Sequence, residues 1–276
     1  MPTFLFWNIA RRQVSDLISE LAHTHAADLV ILVESDIPDT ELLLALNRES
    51  PRYQLPFGVC ERIQVFTRFH AGFLLPFYED DYVSIRKLQL PEIPELLLVM
   101  AHLPSGLYQN AGSRSAACVE LAKLIISQEE RAGHDRTIVI GDLNINPFEP
   151  GMISAVALNA VMTKALAASA KRTVKNQRYP LFYNPMWSLF GDGNGGPGGT
   201  YYYGRAEYET HFWHLFDQVL LRPSVVGGFS NDALKILTSI KDVSLLNPRG
   251  QPNRSVGSDH LPILFSLDSW EDAPNA

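Results

Sequence analysis

Residues 137–144 read Thr-Ile-Val-Ile-Gly-Asp-Leu-Asn, a β-branched run that ends in an acid and an amide two positions apart. A strand that closes in such a turn pushes Asp142 and Asn144 out at its carboxyl end, on one face. Near the other end of the chain Ser258-Asp259-His260 stands directly before the strand-like run 261–267. Carboxylates and amides are hard oxygen ligands that also orient water, and histidine titrates near neutrality. Two such clusters on the tips of apolar strands point to metal-assisted hydrolysis of a phosphate ester.

Further polar residues fall at matching places. Asn8 follows Phe-Leu-Phe-Trp, Glu34 follows the apolar run 29–33, and His102 follows Leu-Leu-Val-Met-Ala. Asp217 lies inside the apolar run 215–221. A carboxylate there is costly to bury without a partner. His260 is the expected partner, because an acid orients an imidazole and stabilises its charged form.

The elements that must position these groups can be read in turn. Buried strands are expected at 4–9 and 29–33, with helices at 12–26 and 39–48. Short strand-like runs at 61–67, 71–75, 82–90 and 95–101 follow, without a helix between them. A helix over 112–131 leads to the strand 137–141, then an Ala-rich helix is expected around 150–170. Strand runs at 199–203, 214–221, 234–240 and 261–267 complete the chain, divided by Gly- and Pro-rich loops. Helices bracketing consecutive strands imply mixed sheets with helices outside, not a doubly wound parallel sheet. Strands from both ends must meet to unite the polar tips, so residues 1–267 are expected to form a single domain and 268–276 a flexible tail.

The composition sets limits. Of 276 residues 46% are hydrophobic and 19% charged, which is enough for a sizeable core. A net charge of −7 argues against sequence-indifferent coating of DNA, though a local basic strip and a cation can still receive a nucleic acid. Cys60 and Cys118 are too few for a disulfide framework. No apolar run is long enough to span a membrane and the start lacks a signal-peptide pattern, so a cytoplasmic protein is expected.

Trp7-Asn8-Ile9, Glu34, Ala101-His102-Leu103-Pro104-Ser105, Gly141-Asp142-Leu143-Asn144, Phe216-Asp217-Gln218-Val219 and Ser258-Asp259-His260 occur in that order. Together they resemble the endonuclease/exonuclease/phosphatase superfamily, which includes the deoxyribonuclease I-like nucleases. The resemblance implies a four-layered α/β sandwich: two mixed sheets face to face, helices outside, and a site at one rim. It implies in-line attack of water on phosphorus with Mg²⁺ or Mn²⁺ as cofactor. Glu34, Asn8 and Asp259 would hold the metal, and Asp142 would orient or deprotonate the water. Asn144 would hydrogen-bond the phosphoryl oxygens. His260, held by Asp217, would be base or charge-stabilising donor, and His102 would contact the phosphate or protonate the leaving oxygen.

Substrate choice is less explicit. Lys171, Arg172, Lys175 and Arg178 place four cations in eight residues, either a phosphate track or a solvated helix end. Arg205 follows Tyr201-Tyr202-Tyr203, a pattern that suits stacking on bases and equally the packing of a large loop. Arg254 sits on the loop leading into Ser258 and could clamp phosphates. Gly191–Gly196 matches GxGxxG in letter only, since no strand leads in and Pro197 breaks any following helix. His23/His25 and His211/His214 have metal-like spacing but no further ligands nearby, and are expected to pack or face solvent. The expected function is a phosphodiesterase whose partner is a nucleic-acid substrate. The alternatives are a phosphoesterase for an inositol phosphate or sphingomyelin-type substrate, and an inactive binding module.

Overall fold

Alternation along the strands decides the layers. In the computed structural model, which describes residues 2–268 apart from 51, 92, 106–110, 194, 206, 207 and 209, successive side chains of each central strand enter different cores. β1 (Thr3–Asn8) and β2 (Leu29–Val33) are parallel and joined by α1 (Ser15–Thr24); α2 (Asp39–Leu46) and β3 (Ile63–Thr67) follow. β4 (Leu74–Glu79), β5 (Val83–Leu88) and β6 (Leu96–His102) form an antiparallel meander. Then α3 (Ala111–Ala132) crosses to β7 (Thr137–Asp142), which is parallel to β6.

The next stretch is broken into short pieces: α4 (Pro150–Ile153), β8 (Ala160–Val161), α5 (Lys164–Ala167), the ribbon of β9 (Lys171–Val174) and β10 (Gln177–Pro180), and β11 (Phe182–Tyr183). A ribbon of β12 (Tyr201–Tyr202) and β13 (Trp213–His214) precedes β14 (Asp217–Leu221). β15 (Lys235–Ile236), the ribbon of β16 (Ser239–Ile240) and β17 (Val243–Ser244), and β18 (Ile263–Ser266) end the described chain. Among the described residues the strands assemble into a five-stranded sheet, β15-β18-β1-β2-β3, and a seven-stranded sheet, β4-β5-β6-β7-β14-β11-β8.

Phe4, Phe6, Leu29 and Ile31 of the first sheet meet Leu96, Leu98, Ile138 and Val219 of the second in one core between the sheets. Leu5, Trp7, Val30 and Leu32 face the opposite way, onto Ile18 and Leu21 of α1 and Leu42 of α2. Leu97, Val99, Val139 and Leu220 likewise face Leu121 and Ile125 of α3. The result is the four-layered α/β sandwich expected from the sequence. A buried bidentate pair, Arg222 with Glu129 at 2.8 and 3.0 Å, ties α3 to the end of β14.

The Ala-rich helix does not form over 150–170. Asn159 adopts a left-handed backbone (φ 51°) and donates its side-chain amide to the carbonyls of Tyr179 and Pro180, so Ala160 enters a sheet edge instead. Alanine has too little side chain to hold a helix against such a competing pairing. Lys175 and Asn176, both at positive φ (48° and 66°), turn the basic strip into a hairpin, not a helix end. Residues 269–276, most of the expected tail, lie outside the described residues. Among the described residues no helix is long and apolar enough to cross a membrane.

Candidate active site

Strand parity places the polar tips. Phe4, Phe6 and Asn8 alternate on the inter-sheet face of β1, as do Leu98, Met100 and His102 on β6, and Ile138, Ile140 and Asp142 on β7. Asp217 shares this face with Val219 and Leu221 on β14. Register then aligns them: His102 pairs with Asp142 and Asp142 with Asp217 across three neighbouring strands. Each apolar stripe between the sheets therefore ends at one rim in a polar group. Gly141 permits the close approach behind this row, since a Cβ there would lie 1.9 Å from the Ala101 carbonyl oxygen.

Asn8 is buried and donates its amide to Asp142 Oδ2 (2.8 Å) and Glu34 Oε1 (3.2 Å), while its Oδ1 accepts the Ala10 N–H (3.0 Å). It thus holds two carboxylates with its nitrogen and turns its oxygen away from them. Glu34 follows β2 in a left-handed conformation (φ 48°), which aims its side chain back over the rim. His102 Nε2 lies 3.4 Å from Glu34 Oε1. Against the opposing effect of burial, His102 first and then Asn8 hold the Glu34 carboxyl down to about 2. Asn144, also left-handed (φ 51°), donates its N–H to Asp142 Oδ1 (2.9 Å) and its amide to the Leu103 carbonyl (2.9 Å).

The His260 pair forms as expected: Nδ1 lies 2.8 Å from Asp217 Oδ2 and 4.0 Å from Asp142 Oδ2. Burial disfavours the imidazolium, but the facing Asp217 and then Asp142 carboxylates outweigh it and lift His260 to about 10. Asp142 moves up from its ordinary value, chiefly through burial and then through Asp217. The ligand atoms of Glu34, His102 and Asp142 lie within 4.8 Å of one another, as do those of Asp142, Asp217 and His260. Asp259 belongs to neither cluster; its Oδ2 lies 3.6 Å from Arg254 Nε.

Glu34, His102, Asp142, Asn144, Asp259 and His260 line a cleft of about 1380 Å³ that Arg254 also lines, whereas Asn8 and Asp217 are buried and do not reach it. A smaller recess of about 620 Å³ between α1 and α2 shares no lining residue with this cleft and, among the described residues, holds no such cluster. Lys171, Arg172 and Arg205 are exposed and are not among the cleft residues; Arg172 donates to the Ile153 carbonyl and Arg205 lies over the Tyr203 ring. The sequence does not single out Asn146 or Arg114, offers Tyr201 only as a stacking or packing aromatic, and leaves His211 and His214 as packing or surface residues; all five line the cleft. For Asn146 the signal was available: Asp142, Asn144 and Asn146 recur at every second position. For Tyr201 it was not, because its contact with His260 (ring centroids 4.7 Å apart) joins segments distant in sequence.

The donor set suits a hard divalent cation: Glu34 is ionised and half-exposed at the cleft, and Asp259 stands nearby on its wall. Comparisons agree with this geometry. The model of the Endonuclease/Exonuclease/phosphatase family matches residues 5–260. No curated protein matches the sequence. Truncated TDP2 from Caenorhabditis elegans superposes with a TM-score of 0.57, covering 97% of this chain and 98% of that one at 12% identity. The catalytic domain of human Nocturnin with a bound sulfate gives 0.54 over 96% and 94% at 17% identity. An AP endonuclease from Archaeoglobus fulgidus gives 0.54 over 97% and 100% at 11% identity. Likeness at such identities shows a shared fold. The family model, covering nearly the whole chain, shows more: this chain belongs to the endonuclease/exonuclease/phosphatase family of phosphoesterases and nucleases.

Proposed function

We propose that the protein is a Mg²⁺- or Mn²⁺-dependent phosphodiesterase that hydrolyses nucleic acid. The observation that carries this reading is the meeting of Glu34, His102, Asp142 and His260 in one open cleft, with the buried Asp217 carboxylate on His260 Nδ1. Structural likeness to D. rerio TDP2 complexed with a single-strand DNA product and to an AP endonuclease supports a nucleic-acid substrate.

Glu34 and Asp259 would hold the cation, and Asn8 would orient Glu34 from behind. When bound, the cation supplies charge neutralisation at the phosphoryl oxygens. The chain's own groups do the rest. Asp142, fixed by donors on both oxygens, accepts the proton of the attacking water, and its raised pKa suits a general base. The Asp217 and Asp142 carboxylates favour the charged form of His260, which suits it to donate and not to act as the base. With Nδ1 engaged by Asp217, its Nε2–H donates to the phosphoryl oxygen as negative charge builds. Asn144, whose amide already serves Leu103, shapes the turn beneath the phosphate. His102, beside Glu34, faces the leaving oxygen.

Cleavage of supercoiled plasmid, single-stranded DNA, RNA and an abasic duplex, each with Mg²⁺, Mn²⁺ or EDTA, tests the reading. Metal-dependent cutting lost in Asp142→Ala and His260→Ala is the expected result. If all four polymers survive while bis-p-nitrophenyl phosphate is hydrolysed, the substrate is a small phosphoester.

A further inference from the structure

One wall of the cleft carries an amide-centred network that the catalytic groups do not use. Asn146 is its hub and is buried. Its Oδ1 accepts the Leu215 N–H (3.1 Å), which identifies the oxygen end of the amide. Its Nδ2 then donates to Glu149 Oε1 (3.0 Å) and to His214 Nδ1 (3.0 Å). The Asn146 backbone N–H adds a second bond to Glu149 Oε1 (2.9 Å), and Arg114 Nη2 donates to Glu149 Oε2 (3.0 Å).

This arrangement fixes the state of His214. Burial and then the neighbouring His211 pull its pKa down to about 4, so the ring is neutral at working pH. Because Nδ1 accepts from Asn146, the single proton sits on Nε2. Phe216 stacks on the ring (centroids 4.6 Å, planes 27° apart) and holds its plane.

The consequence is a pair of side chains with donors left over. The carboxylate, the Asn146 oxygen and His214 Nδ1 all have donors within the network. What is left for the cleft is the Nε2–H of His214 and the part of the Arg114 guanidinium that Glu149 does not use. Arg114 Nε is itself buried with no acceptor. The Arg114 and His214 donors favour a ligand that accepts, and in nucleic acid the group that only accepts is a non-bridging phosphate oxygen.

We infer that Arg114 and His214 form a subsite for the phosphate next to the one being cleaved, so that a chain of phosphodiesters is preferred to an isolated one. The inference rests on the phosphodiesterase reading above. It predicts that replacing the neighbouring linkage of a single-stranded DNA by a neutral methylphosphonate raises the KM of the Mg²⁺-loaded protein about tenfold, the scale of one charge-assisted hydrogen bond. In Arg114→Gln and His214→Phe that penalty disappears, and their loss on the all-phosphodiester strand exceeds their loss on bis-p-nitrophenyl phosphate by a similar factor.

A methylphosphonate penalty unchanged in both variants, or equal losses on the two substrates, would overturn the subsite while leaving the phosphodiesterase reading intact. Wild-type protein that turns over neither substrate would remove the reading and the subsite together. Circular dichroism of each variant separates loss of recognition from loss of fold.

Discussion

Replacing Asp217 by Asn tests whether His260 acts as a charged donor. Lifting the imidazole from 6.5 to about 10 corresponds to a preference for the charged ring on the order of 5 kcal/mol. The Asp217 carboxylate at 2.8 Å supplies most of it, and Asp142, at 4.0 Å from the same nitrogen, supplies less. Asparagine leaves the ring with the cost of burial and chiefly Asp142 to offset it, so the imidazole loses its proton at a lower pH than in wild type. At mildly alkaline pH the wild-type ring therefore keeps more of its charge than the variant's. If the imidazolium stabilises the developing phosphoryl charge, kcat at pH 8 falls by roughly 10²–10³, the usual cost of losing such a donor. The assay is bis-p-nitrophenyl phosphate hydrolysis at saturating Mg²⁺ between pH 5.5 and 9.5. Wild type should show no alkaline loss until above about pH 9, whereas Asp217→Asn should lose activity through neutrality and recover toward acid. A variant with the wild-type alkaline limb, or activity that rises as His260 loses its proton, refutes the assignment.

Other consequences follow from the same geometry. The raised His260 value contributes stability in full below pH 6.5 that is lost as pH rises toward 10, so wild-type unfolding free energy should fall over that window and Asp217→Asn should show a flatter profile in urea melts. Asn8→Ala removes the amide that aligns Glu34 and Asp142, and the Mg²⁺ concentration for half-maximal activity should rise about tenfold in a metal titration. Gly141→Ala drives a methyl group into the Ala101 carbonyl and should cost about 3 kcal/mol or more in denaturant melts, with the β6–β7 pairing forced apart. Glu129→Ala strands the buried Arg222 guanidinium and should destabilise the fold by about 3–5 kcal/mol in the same melts, while kcat of the folded protein stays unchanged.

Much of this site was legible before any coordinates, and the reason is local. A strand that alternates apolar residues and ends in Asn8, His102 or Asp142 announces both the strand and the polar tip, because period two and burial act on neighbouring residues. Glu34 was legible for the same reason, at the end of a run buried on both faces. The Asp217–His260 pair was predictable by elimination, since a carboxylate inside an apolar run needs a partner. What the sequence hid was register. Nothing local says that His102, Asp142 and Asp217 share one row, or that Asn146 would face a histidine 68 positions away. The stretch 150–170 misled because alanine favours a helix only where nothing else claims the backbone, and Asn159 claims it for the sheet edge. The basic strip was visible as charge, but its folding as an exposed hairpin away from the cleft depends on pairing that composition does not encode.

We place metal-assisted attack of water on a phosphodiester in the cleft that Glu34, Asp142 and His260 line. It is tested most directly by following single-stranded DNA and bis-p-nitrophenyl phosphate with Mn²⁺ or EDTA, using wild type, Glu34→Ala and Asp142→Ala purified side by side. The expected result is turnover that requires the metal, is restored by raised Mn²⁺ in Glu34→Ala, and stays absent in Asp142→Ala at any metal concentration. Turnover that persists in EDTA, or survives in Asp142→Ala, would contradict it.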